Sequence, residues 1–210
     1  MRPQLIVVEG PDGAGKGTLI EGLLSRLDQA GVPHVKLREP GGTQLGESLR
    51  AMLKGREVTI GSRAEALLFA AARAQLIEEQ IRPRLDEGTW VILDRFVDSS
   101  IAYQGHARGL GVEAVAQMNE FALDGLRPDL TLMLTVPNEI AQQRRHVRDT
   151  SDNDRFETEG ELFQQRTVEG YRIAAQRNAT VRLLDASGTP AQVLDAAWQQ
   201  LIAAQPDLAA

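Results

Sequence analysis

The chemistry-bearing core of this chain is the run Gly10-Pro11-Asp12-Gly13-Ala14-Gly15-Lys16-Gly17-Thr18. Gly10 followed by Gly15-Lys16 meets the pattern G-x-x-x-x-G-K, whose glycines let successive backbone N–H groups turn inward around a phosphate. The N-terminus of the helix that should follow adds positive potential. Lys16 can then reach the β- and γ-phosphates, so Gly10, Asp12, Gly13, Ala14, Gly15, Lys16, Gly17 and Thr18 are expected to cradle a nucleoside triphosphate. One position departs from the pattern. Gly17 stands where a serine or threonine hydroxyl usually reaches magnesium, and Thr18 beside it is placed to touch a phosphate instead. Magnesium must then be held by phosphate oxygens, water and a nearby carboxylate. Asp94, after the apolar run Trp90–Leu93, is the first candidate, with Glu9 and Asp12 as alternatives; an acid at that place can also be a helix cap.

A loop of this kind needs a strand before it and a helix after it. Leu5-Ile6-Val7-Val8 is a continuous apolar run of the sort found in strands buried on both faces of a parallel sheet. Similar runs recur at Val35–Leu37, Trp90–Leu93, Leu130–Val136 and Val181–Leu184. Between them lie helical patterns. Residues 16–30 carry Leu19, Ile20, Leu23, Leu24 and Leu27 along one side, and 63–85, 112–123, 138–148, 160–177 and 190–204 are also helix-like. Strands alternating with helices predict an α/β fold: one domain over 1–210, built on a doubly wound, five-stranded parallel sheet with helices on both faces. The one polar interruption is Asp149–Asp154, which lies among several arginines.

Bulk composition narrows the classes. The 210 residues include 42% hydrophobic and 25% charged side chains, ordinary for a globular domain large enough to bury a core. There is no cysteine, which excludes a disulfide framework and thiolate metal sites. A net charge of -6 argues against a general nucleic-acid binder. No apolar run approaches the ~20 residues needed to span a bilayer, and the N-terminus leads straight into a strand, so a cytoplasmic protein is expected. Of the 23 basic residues only Lys16, Lys36 and Lys54 are lysine, and one of them sits in the glycine-rich loop.

The chain has no N-K-x-D to read guanine, and Asp124-Gly125 does not provide a D-x-x-G switch, which sets GTPases aside. Five further segments follow the loop in order: Arg38-Glu39-Pro40-Gly41-Gly42-Thr43, Phe69-Ala70-Ala71-Ala72-Arg73-Ala74-Gln75, Asp94-Arg95-Phe96, Ser99-Ser100-Ile101-Ala102-Tyr103-Gln104, and the arginine-rich stretch 144–155. Together with the loop they closely resemble the thymidylate kinases, over essentially the whole chain. The resemblance implies a P-loop kinase fold, ATP as donor, dTMP as acceptor, Mg2+ as cofactor, and often a homodimer.

It also implies roles. Phe69 and Arg73 are i and i+4 on one helix face. Spacing alone makes Phe69 a core residue beside Leu68, Ala72 and Leu76, whereas the resemblance stacks it on thymine, with Arg73 donating to the base O4. Ser100 becomes a base-edge partner, Tyr103 lies against the sugar where a 2′-hydroxyl would crowd it, and Gln104 shares their face. Asp12, an acid unexpected beside phosphates, accepts from the acceptor's 3′-hydroxyl. Arg38 and Arg95, each at a strand end, suit the acceptor phosphate. Because the loop offers no arginine, the lid-arginine variety of the family fits best. A small mobile lid over about 144–156 would then supply Arg148 and Arg155 to the transferred phosphoryl, with Arg144 on the adenine. The nearest rivals are a kinase for another nucleoside monophosphate or a deoxynucleoside (the Gly-Lys-Gly-Thr ending also resembles adenylate kinases) and a P-loop ATPase switch with no phosphoryl acceptor.

Overall fold

The computed structural model describes residues 2–55, 57–147, 156 and 159–209. Five strands form one sheet: β1 (Leu5–Glu9), β2 (His34–Arg38), β3 (Trp90–Asp94), β4 (Leu130–Thr135) and β5 (Val181–Asp185). All pairings are parallel, in the order β2-β3-β1-β4-β5. The expected five-stranded parallel sheet is therefore present.

Alternation along β1 explains why both faces must be covered. Successive side chains of a strand point to opposite sides. Ile6 and Val8 join one core with Ile92, Leu132 and Leu134, sealed by Leu19, Ile20, Leu23 and Leu27 of α1 (Lys16–Gln29) and by Val193, Ala197 and Leu201 of α9 (Pro190–Ala204). Leu5 and Val7 join a second core with Val91 and Leu93. Leu76 of α3 (Ser62–Leu76), Ile77 and Ile81 of the π-helical turn Ile77–Ile81, and Leu123 of α6 (Val112–Leu123) close that one. The helical pattern expected over 63–85 is thus α3, the π-turn and α4 (Arg82–Asp86) in series.

Two elements were not among the expected helices. α2 (Gln44–Lys54) starts on Thr43, whose side chain accepts from the Gly46 N–H at 2.9 Å. The segment after β3 begins as α5 (Val97–Ser100) and continues as a π-helix, Ile101–Ala107. α7 (Asn138–Val147) and α8 (Glu161–Arg177) complete the set. Among the described residues no helix is long and apolar enough to cross a membrane.

Register brings the chemistry to one edge. Val8 pairs with Asp94, and Asp94 with Arg38, so the ends of β1, β2 and β3 lie level. In open parallel sheets ligands bind outside these carboxyl ends.

Candidate active site

The glycine-rich loop leaves β1 at Gly10 and enters α1 at Lys16. Gly10, Gly13 and Gly15 have φ of 135°, 85° and 95°, a region that L side chains rarely adopt. Space is also decisive for two of them. A Cβ on Gly10 would lie 2.6 Å from the Leu134 carbonyl oxygen, and one on Gly13 would lie 2.4 Å from that of Ala141 on α7. The loop is thus wedged between β4 and α7. Ala14 is buried behind it, whereas Gly17 and Thr18 are exposed on its outer side.

Lys16 is buried, and its Nζ donates to the carbonyls of Gly10 (2.9 Å) and Pro11 (3.0 Å). Burial, reinforced by the positive charge of Arg95, lowers its pKa to about 8 against the opposing pull of Asp12, Asp94 and Glu9. Arg95 follows β3 with φ of 70°, a conformation that turns its side chain back over the loop. Its guanidinium donates to Asp12, to Tyr171 Oη (2.6 Å), and at 3.3 Å to both the Gly10 carbonyl and Ser99 Oγ. Asp12 also accepts from Tyr103 Oη at 2.9 Å, and its carboxylate lies 3.8 Å from Lys16 Nζ. Asp12 therefore ties the loop to the segment carrying Arg95 and Tyr103.

The three candidate metal carboxylates are now distinguishable. Glu9, fully buried, accepts from the Phe96 N–H (2.7 Å), the Ser99 N–H (3.1 Å) and Ser99 Oγ (2.7 Å). It caps α5 from outside, and burial holds its pKa above the ordinary value. Asp12 is engaged as described. Asp94 Oδ1 is buried with no hydrogen-bond partner, an arrangement that buried polar atoms rarely tolerate. Asp94 lines the cavity along with Lys16, and an unpartnered carboxylate oxygen there fits a magnesium ion held mainly by phosphates and water, the usual manner for this ion. Among the described residues no cluster of three acidic or histidine side chains could hold a metal by itself.

These groups line a cavity of about 690 Å³ that runs from the loop to the helices above the sheet. Asp12, Gly13, Gly15, Lys16, Gly17, Thr18, Arg38, Phe69, Arg73, Asp94, Arg95, Ser100, Tyr103, Gln104 and Arg144 all border it. Ser100 closes α5, Tyr103 and Gln104 lie on the π-helix that continues it, and all three border the cavity. Arg144 lies at the loop, its Nη1 3.9 Å from where a Gly15 Cβ would be. Arg148 and Arg155, and most of the segment about 144–156, lie outside the described residues.

Arg73 is 1% exposed. Its Nε and Nη2 grip Glu39 (2.5 to 3.1 Å), Nη2 also reaches the Phe96 carbonyl (3.0 Å), and Nη1 donates to Ser100 Oγ (3.1 Å) and to Asn119 Oδ1. All five N–H groups thus point at protein acceptors, so a base oxygen can be reached only by sharing an Nη1 hydrogen with one of them. Burial pushes the Glu39 carboxyl up to about 7 against the downward pull of Arg73. Phe69 packs edge-on to Phe156 with ring centroids 5.8 Å apart, which makes it both a partly buried core residue and a cavity wall. Arg38 donates through Nη2 to both oxygens of Glu47 at 2.9 Å.

Sequence reasoning missed several lining residues. Arg50 and Lys54 come from α2, and Arg50 Nη1 donates to the Pro40 carbonyl at 2.9 Å. The signal was available in Thr43 as a cap and in Leu45, Leu49, Met52 and Leu53 at helical spacing. Phe156, which borders the cavity, and Tyr171, a buried partner of Arg95, approach from distant sequence and had no local signal.

The model of the family described as thymidylate kinase matches residues 8–197. The chain belongs to the thymidylate kinase family. Among its relatives, the thymidylate kinase of Latilactobacillus sakei is 46% identical over 187 residues, covering 88% of this chain and 87% of that protein. That of Rhizorhabdus wittichii is 43% identical over 195 residues (92% and 94%), and that of Alkalilimnicola ehrlichii is 42% identical over 204 residues (96% and 93%). A thymidylate kinase must hold two phosphorylated substrates end to end. The continuous cavity, with the glycine-rich loop at one end and an aromatic pocket at the other, has the shape for that.

Proposed function

We propose that the chain transfers the γ-phosphoryl group of ATP to a phosphate oxygen of dTMP, giving dTDP and ADP. The observation that carries this is Asp12, held between Arg95, Tyr103 and Lys16 where the phosphate loop meets the aromatic pocket. An acid there would repel a phosphate but suits a sugar hydroxyl, so the loop can serve donor and acceptor at once. A phosphomonoester is largely dianionic at neutral pH, its second pKa being about 6, so the acceptor needs no general base. Catalysis then rests on alignment and charge neutralisation. In this reading Lys16 and the loop N–H groups bind the donor phosphates, and Arg38 and Arg95 hold the acceptor phosphate. Phe69, Arg73, Ser100, Tyr103 and Gln104 surround the acceptor nucleoside. Asp94 would hold Mg2+, which supplies further neutralisation of the transferred group when bound.

Release of ADP tests the reading against its rivals. With ATP and a panel of monophosphates, dTMP should stimulate release well above AMP, UMP and dCMP. Equal stimulation by another monophosphate, or release with no acceptor, overturns it.

The lid belongs to the same proposal. The loop carries no arginine, and α7, whose Arg144 Nη1 lies 3.9 Å from where a Gly15 Cβ would be, leads into the segment holding Arg148 and Arg155. Those two arginines would neutralise the transferred phosphoryl. Arg148→Ala should lower kcat about 100-fold or more while KM for dTMP changes little; a raised KM with unchanged kcat would assign Arg148 to acceptor binding instead. A cytoplasmic homodimer completes the reading. Its support is Leu67 on α3 and Phe121 on the neighbouring α6, 58% and 92% exposed, and sedimentation at twice the 23.0 kDa chain mass tests the dimer.

A further inference from the structure

Arg108 follows the π-helix Ile101–Ala107 and has no part in the phosphate chemistry, yet four side chains converge on it. Its Nε and Nη2 donate to the two oxygens of Glu65 on α3, each at 3.3 Å. Nη1 pairs with Glu159 at 2.5 Å. Its guanidinium carbon lies 4.4 Å from the ring centroid of Phe163 on α8 and 5.7 Å from that of Phe156. Glu65 is 1% exposed, and its Oε1 also accepts from Gln104 Nε2 at 2.9 Å. Gln104 and Phe156 both border the cavity.

Chemistry gives this cluster a direction. A carboxylate can only accept hydrogen bonds, so Glu65 keeps the NH2 of Gln104 turned towards itself and fixes which way that amide faces. Arg108 donates to both oxygens of that carboxylate and so fixes how it stands against Gln104. Without Arg108 the carboxylate would lose the fork that orients it, and the amide of Gln104 could turn with it. The same guanidinium lies over Phe156, whose ring meets Phe69 and Tyr103 edge-on at 5.8 and 6.1 Å. One side chain thus governs a polar edge and an aromatic wall of the same pocket.

We propose that Arg108 is a positioning residue for the acceptor nucleoside: through Glu65 it sets the orientation of Gln104, and through Glu159 and Phe156 it holds the aromatic wall in place. This rests on the reading of that pocket as the acceptor site.

Steady-state kinetics of Arg108→Met and Glu159→Gln in the full chain test it, alongside wild type with dTMP and ATP each varied. Arg108→Met should raise KM for dTMP about tenfold and leave KM for ATP within about twofold. Glu159→Gln, at a more exposed partner, should shift KM for dTMP in the same direction by about threefold. Unchanged constants in folded variants overturn the proposal, and so does a parallel rise in both KM values, which is the mark of general loosening. Should Arg108→Met fail to fold, Glu159→Gln decides by the same criterion. Wild type separates the two readings: a chain that does not phosphorylate dTMP refutes the acceptor assignment itself, whereas an active wild type with indifferent variants refutes only the role of Arg108.

Discussion

Lys16 is the cation proposed to bind the donor phosphates, and its burial has a kinetic consequence. With a pKa lowered to about 8, the side chain loses its charge within a pH range that an exposed lysine would cross unaffected. kcat/KM for ATP, which reports groups of the free enzyme, should therefore fall as pH rises through about 8. Lys16→Arg should be slower but should lack that limb, because a guanidinium does not titrate there; a wild-type profile flat to pH 9.5 would remove Lys16 from donor binding. Stability moves the other way. Between about 8 and the ordinary lysine pKa the unfolded chain binds the extra proton, so the contribution of Lys16 to stability rises with pH over that window. Asp94 makes a second case at this scale. Its unpartnered Oδ1 predicts that Asp94→Asn raises the Mg2+ concentration giving half-maximal activity, with little change in Tm. An unaltered Mg2+ dependence would move the metal site elsewhere.

At the scale of elements, the site depends on how closely α8 can approach the π-helix that carries Tyr103 and Gln104. A Cβ on Gly170 of α8 would lie 2.6 Å from both Cα and the carbonyl oxygen of Ala102, backbone atoms that cannot swing aside. Gly170→Ala should therefore destabilise the protein by about 1–3 kcal/mol, read from denaturant unfolding. Gly17→Ala, with nothing within 4 Å of its new methyl, should leave stability unchanged or raise it by up to about 1 kcal/mol. Equal losses at both positions would show that helix contact is not what fixes Gly170. The same elements show what the sequence could reveal. β1 and β3 were legible because strands buried on both faces are written as near-continuous apolar runs, β4 because only threonine interrupts its run, and α1 because its leucines keep helical spacing. The π-winding of Ile101–Ala107 was not legible, since one extra residue per turn leaves no mark in composition. α2 escaped because its polar, cavity-facing residues interrupt a narrow apolar stripe. Phe156, Tyr171 and Glu65 became site residues only through tertiary contact across the chain.

For the molecule as a whole, the cavity is assembled at a cost that pH should expose. Placing several carboxyls beneath it in a dry interior disfavours their charged forms. Glu39 has Arg73 against it, and Glu9 has three hydrogen-bond donors, but Asp98 has no comparable compensation. It sits in the buried turn of α5, where its Oδ2 accepts from Asn178 Nδ2 at 2.9 Å at the end of α8. Burial, with the neighbouring charge of Glu9, pushes it up to about 7 against the weaker pulls of Asn178 and Arg73. Between the ordinary aspartate value and about 7 the folded chain keeps a proton that the unfolded chain has released. Stability must then fall as pH rises through that window and level off above it, the reverse of the usual carboxylate behaviour. Asp98→Asn keeps the side chain's shape and its contact with Asn178 while removing the titration. Between pH 5 and 7.5 wild type should lose on the order of 1–4 kcal/mol more than this variant. Urea unfolding of both proteins at those two pH values measures the difference, and parallel pH dependences would mean that Asp98 is ionised in the folded protein.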